Sequence, residues 1–349
     1  MQDNILRQFN DMAIRWGRSH QSSQTSYVHY HPHSSDERHD VIPILDNILF
    51  ALALLQSRTS ENVCEAKTIL DCLLHFQNNA EPYFGNFPVY LHEYPACKDR
   101  ALSVQLLPPL YWILKGFHQV LGNDLKQRLE ITCKALIVHS FITHEQKSLP
   151  YPIAAKLAAA TWAFGLLLDE TPLAQQGENF LNTLKDTFQQ EMSTPIYDTK
   201  PLGELLVALQ MVYPTLSDSP WEPLWKLMEQ TWHHPTSSYI GCSFREHQDG
   251  FEPKTILYDL FCGYFSGSLS KRALTANPTH LQAALVRPTT DQLQPPNYPT
   301  AIAGTYRDDS HWHLEQHREY ALHVSEYKGN VSSAAEKRES SIKDHLGKP

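Results

Sequence analysis

The sequence predicts a mainly α protein, a ring of helical hairpins followed by a small β-containing C-terminal part. Three observations predict it. Helix-period segments come in pairs that recur at intervals of roughly 50–60 residues, a repeat a little longer than the HEAT range. The connectors between pairs each combine proline with tyrosine. After about residue 233 the long helical periods give way to glycine-, serine- and proline-rich sequence.

The first element is an amphipathic helix, with Ile5, Leu6, Phe9, Met12, Ala13 and Trp16 on one face. Four pairs follow, at 43–56 with 61–77, 103–121 with 124–141, 152–168 with 174–192, and 201–213 with 221–232. The links inside a pair are short and polar, such as 57–60 and 122–123. Short links make antiparallel neighbours. The connectors between pairs carry Pro88 and Tyr90, then Pro150 and Tyr151, then Pro195 and Tyr197, then Pro235 and Tyr239. Proline ends a helix and stiffens the connector. Tyrosine offers an apolar ring with a polar tip, so a curved array would gather these rings on one rim. The segment 153–164 is small and apolar almost all round, the pattern of a helix buried on most faces. It fits the inner wall of a closed or nearly closed ring.

The expected units are a helical-hairpin domain over 1–240, a mixed segment with short strands over 241–328, and a disordered tail over 329–349. The run 256–265 is apolar enough for a helix or a buried strand, and length does not decide between them. Residues 287–299 form a proline-rich linker. Short strands are expected at 301–306, 311–316 and 319–327, the last showing alternation through Tyr320, Leu322 and Val324. The final stretch lacks an apolar face.

Composition narrows the function. The chain has 349 residues, 42% hydrophobic and only 19% charged, with a net charge of -9. Ample core is available. An acidic chain lacks the basic footprint of a nucleic-acid binder. No apolar run spans a bilayer, and the opening segment, with an early acid and no continuous apolar stretch, does not read as a signal peptide. A cytoplasmic location is expected, in keeping with six cysteines and no CxxC pair. Cys64, Cys72 and Cys133 fall in apolar helical patterns and read as small core residues. Of 19 histidines, His29, His31 and His33 form the densest group. Zinc needs three or four converging ligands, and Pro32 with its polar neighbours reads as a loop instead. There is no phosphate-binding glycine loop, no HExxH and no GxSxG, and no cofactor is expected.

The densest concentration of chemistry-bearing residues is the connector from Gly85 to Arg100. Helical hairpins with an aromatic rim, followed by strands, resemble the α/α-toroid enzymes, and among them the heparinase II/III-like polysaccharide lyases. The resemblance is one of layout over residues 40–327. It implies an incomplete α/α toroid acting on a uronate-containing polymer, with asparagine, histidine and arginine supplied by the toroid and tyrosine as base or acid. A large β-sandwich normally follows such a toroid, and here only short strands do.

Eliminating a uronic acid needs a cation or amide to offset the carboxylate, a base for the adjacent proton and an acid for the leaving oxygen. The connector contains all three types. His92, Tyr94 and Arg100 are the candidate catalytic residues, and Asn86, Tyr90 and Glu93 the candidate binding residues. In an extended strand His92 and Tyr94 would face together and Glu93 away. Arg245 and His247, with Tyr258 and Asp259 in support, form a second cluster expected to approach the same cleft. A rival chemistry is a glycoside hydrolase pairing Glu93 with Asp259 or Glu246, decided by their separation. The competing structural reading makes Phe87, Val89 and Leu91 an apolar anchor, Glu93 and Arg100 a local ion pair, and Asp249-Gly250 a solvated turn. The expected ligand is a carbohydrate, with no nucleic acid, membrane or metal; a helical-repeat binding protein without catalysis is the alternative, and oligomeric state is not encoded legibly.

Overall fold

The computed structural model describes residues 2–30, 41–191, 200–240, 255–270, 279–305 and 311–326. Eleven α-helices are present among the described residues. The first, α1 (Gln2–His20), buries the apolar face read from its sequence, from Ile5 through Trp16. Then come α2 (Ile44–Ser57), α3 (Ser60–Leu73), α4 (Leu102–Leu121), α5 (Asn123–Gln146), α6 (Tyr151–Leu167), α7 (Thr171–Glu191), α8 (Lys200–Val212) and α9 (Glu222–Thr231). Each expected helix of the four pairs is found. The turn between α2 and α3 closes through Arg58 in the left-handed region, its N–H donating to Leu55 O, while Thr59 caps α3 by accepting from Asn62 N.

Pairing follows the first three hairpins, with α2 on α3, α4 on α5 and α6 on α7, whereas the fourth expected pair does not form, since α9 does not pack closely on α8. The alternate helices also pack on one another. Helix α2 lies against α4, α4 against α6, α6 against α8, and α8 against α10 (Leu257–Ser266); α10 touches α1, which returns to α2. Helices α4, α6 and α8 run parallel and in register. Lys156, near the start of α6, bonds both Gln105 near the start of α4 and Glu204 near the start of α8. Near the other end the Tyr111 hydroxyl of α4 donates to Met211 O of α8 at 3.1 Å.

Residue chemistry sorts the two sets of helices. Every residue of α2 from Asn47 to Leu55 is buried, and α6 is buried continuously from Ala154 to Thr161. Their partners α3 and α7 are amphipathic, with a polar face toward solvent. The α6–α7 contact is especially close. A Cβ on Gly177 would lie 2.2 Å from Trp162 N, and one on Gly165 would lie 2.2 Å from Ala174 N. Helix α4 holds Pro108 and Pro109 in its interior. By helix geometry these remove the donors that Val104 O and Gln105 O would otherwise receive.

Past α9 a short hairpin pairs β1 (Trp232–His233) with β2 (Ser238–Tyr239). The ambiguous run at 256–265 is helical. Asp259 accepts from Ile256 N at 2.9 Å at one end of α10, and Gly267, at φ 72°, caps the other. After α11 (Thr279–Gln282) and a 3-10 turn at Ala283–Leu285 the chain runs on across the ends of α2 and α8. Ala284 O accepts from Gln56 and the Arg287 backbone pairs with Gln210. Strands β3 (Thr300–Thr305), β4 (His311–Gln316) and β5 (Ala321–Glu326) form an antiparallel meander. The alternation in β5 does not mark a core face, since Leu322 and Val324 are 48% and 51% exposed on this edge strand.

Candidate functional site

The connector before α4 is tied to the start of α2. Ile44 N donates to Val89 O at 3.1 Å and Leu91 N to Ile42 O at 3.0 Å, so Pro43 and Tyr90 form an isolated antiparallel bridge. Phe87 and Leu91 are buried beneath it. The same end of the parallel helix set carries Pro150, which precedes α6.

The extended geometry expected around His92 is not adopted. Leu91–Glu93 make a 3-10 turn, closed by Glu93 N donating to Tyr90 O at 2.9 Å and Tyr94 N to Leu91 O at 3.2 Å. The turn replaces the alternation of a strand, so His92 and Tyr94 do not act as a facing pair. The His92 ring instead stacks on Tyr90, centroids 5.8 Å apart and planes within 6°. Tyr94, 41% exposed, meets Phe76 edge-on. Glu93 accepts from Lys98 at 2.7 Å and from Tyr90 N at 3.4 Å, so its ion-pair partner is Lys98 rather than Arg100. Arg100 donates to Gln146 at the end of α5, 3.0 Å away.

Two expected binding residues are enclosed. Asn86 is fully buried and donates to Asp99 O at 3.2 Å, a staple within the connector. Tyr258 is fully buried in α10, edge-on to Tyr239, and burial pushes its hydroxyl far above the usual tyrosine range. In this structure neither side chain is open to a ligand arriving from solvent. Asp259 caps α10. Arg245, Glu246 and His247 lie outside the described residues, as do His31 and His33; His29 bonds Thr25 at 2.8 Å.

The residues that do gather are Tyr90, His92 and Glu93 from the connector, Tyr30 from the segment before α2, and Asp46 from the first turn of α2. The Tyr90 hydroxyl is held above its ordinary range by burial and then by the charges of Glu93, Tyr30 and Asp46. Burial alone pushes the Asp46 carboxyl up to about 6. A carboxyl that keeps its proton toward neutrality can donate it, and such shifts cluster at functional sites. Asp46 reads in sequence as an ordinary first-turn acid of a helix, a common and favourable placement. Only the bridge between Pro43 and Tyr90 brings it to the aromatic pair.

A second polar group missed in sequence is Lys156. It is the one charged residue of an otherwise apolar segment, nearly fully buried, and it binds Gln105 and Glu204. Its signal was a lone lysine inside a run of alanines, which contact with α4 and α8 turns into a polar clasp.

No family model matches this chain, no curated protein matches it, and no solved structure matches it.

Proposed function

We propose that the alternate helices form the inner wall of an incomplete α/α toroid, and that the protein is a carbohydrate-active protein whose glycan lies across Tyr30, Tyr90 and His92 at the N-terminal ends of those helices. The observation that carries the reading is the parallel Tyr90–His92 stack beside two carboxyl groups in different surroundings. Flat stacked rings suit the apolar faces of sugars. Asp46 is protonated to about pH 6 by burial, whereas Glu93 is paired with Lys98. Two carboxyl groups with different environments are what glycoside hydrolysis uses, one as acid and one as base or nucleophile. Asp46 takes the place that sequence reading gave to Asp259 or Glu246. Uronate elimination through His92, Tyr94 and Arg100 receives less support, because Tyr94 and Arg100 turn to Phe76 and Gln146.

The test is a glycan-binding screen, followed by reducing-sugar release and absorbance of unsaturated uronate products on any glycan retained. Tyr90→Ala with His92→Ala should abolish retention, and Asp46→Asn should abolish turnover while retention persists. Retention without turnover in the unmodified chain would leave a binding protein. No retention by the folded chain overturns the reading.

A further inference from the structure

At the other end of the same helices, α4, the end of α8 and the segment 287–291 enclose a cleft of about 290 Å³. Trp112 and Lys115 come from α4, Gln210 from α8, and Arg287 and Asp291 from the covering segment. The Lys115 ammonium lies 5.2 Å from the centre of the Trp112 ring, and the Arg287 guanidinium 4.9 Å from it. Two cations thus share one indole.

Neither has an acidic partner among the described residues. Lys115 donates to the Tyr111 hydroxyl at 2.9 Å, and that hydroxyl in turn donates a hydrogen bond to Met211 O. Arg287 Nε and Trp112 Nε1 are enclosed and reach no acceptor. Buried donors without acceptors are uncommon and costly. The one carboxylate in the cleft is already committed. Asp291 accepts from Leu216 N at 2.6 Å, Ser217 N at 3.3 Å, Ser217 Oγ at 2.7 Å and Thr289 Oγ1 at 3.2 Å. Arg287 is also held in place, its backbone N–H and carbonyl both bonded to the Gln210 amide. Burial and then the nearby Arg58 disfavour its charge. The partial negative charge at the C-terminal end of α8 eases the placement of Arg287 there, but no acceptor meets Arg287 Nε.

We propose that this cleft is a binding site for a small oxyanion, a carboxylate or a phosphate, held by Lys115 and Arg287 beside Trp112. Guanidinium and ammonium donors form the strong charge-assisted bonds such groups accept. An anion would also relieve the like-charge proximity of Arg58 and Arg287. This site is separate from the Tyr90–His92 stack and does not depend on the reading given there.

Calorimetric titration of the full chain with inorganic phosphate, and separately with sodium glucuronate, tests it and distinguishes the two sources of the oxyanion. Saturable binding of either supports the site when Lys115→Gln and Arg287→Gln each weaken it about tenfold or more and Lys226→Gln, at an exposed lysine of α9 paired with Glu222 and away from the cleft, leaves it unchanged. Lys115 is exposed, so its variant keeps the test decisive even if Arg287→Gln fails to fold. Absence of binding by both anions in the millimolar range, or binding indifferent to Lys115→Gln, overturns the proposal.

Discussion

Replacing Gly177 with alanine probes the close packing of α7 on α6. The added Cβ would lie 2.2 Å from Trp162 N, 2.7 Å from Ala158 O and 2.7 Å from Trp162 Cα. Ordinary contact begins at 3.4 Å, and all three atoms belong to the backbone of α6, so no side chain can rotate away. Helix α7 must withdraw along its length, which also loosens Gly165 against Ala174. Overpacking of this kind costs about 1–3 kcal/mol, with the upper end expected where backbone must move. Alanine's better helix propensity returns about 1 kcal/mol, leaving a net loss of roughly 1–2 kcal/mol. Gly116 in α4 supplies the control, since nothing lies within 4 Å of its Cβ position. Gly116→Ala should stabilise by about 0.5–1 kcal/mol through propensity alone. Urea unfolding followed by circular dichroism measures both. If both variants shift stability in the same direction by similar amounts, the close α6–α7 packing is wrong.

Glu204→Leu strands the buried Lys156 charge and should cost about 3–5 kcal/mol, whereas pairing it with Lys156→Met should recover most of the loss; equal losses for the single and double variants would show that the clasp does not exist. Asp46 gives an unusual pH dependence. Its folded-state value of about 6 lies above the ordinary 3.8, so the folded state holds the proton more tightly and the stabilisation is complete below about pH 4. Stability falls as pH rises from about 4 to 6, by on the order of 3 kcal/mol, and Asp46→Asn should flatten that slope in urea titrations across the range. Arg100→Ala removes one exposed hydrogen bond to Gln146 and should change stability by less than about 1 kcal/mol, with a larger loss showing that the connector relies on it.

Much of the fold was readable because its signals are local. The apolar period of α1, the caps and turns at Arg58 and Gly122, and the all-apolar run of α6 each belong to one stretch of chain. The candidate site was readable only by neighbourhood. Tyr90, His92 and Glu93 stand out because they sit together in sequence. Asp46 was not, because its relation to Tyr90 is made by a backbone bridge between segments more than forty residues apart. The facing of His92 and Tyr94 failed for a local reason, the Glu93 carboxylate drawing Tyr90 N into a 3-10 turn where alternation had suggested a strand. Asn86 and Tyr258 failed for another: a polar side chain in an aromatic sequence reads alike whether it faces solvent or is sealed beneath it.

The sequence by itself determined that the hairpin helices exist and roughly where they lie, and that the α6 segment is apolar almost all round, since periodicity depends on residues a few positions apart. Tertiary structure alone decided which polar groups meet. Parallel packing of α6 and α8 joined Lys156 to Glu204, the bridge between Pro43 and Tyr90 brought Asp46 to the aromatic pair, and bonds to Gln210 laid the segment after α11 by Trp112 so that Arg287 and Lys115 share one ring. Burial and proximity change what a carboxyl or a guanidinium does, and both are properties of the packed chain.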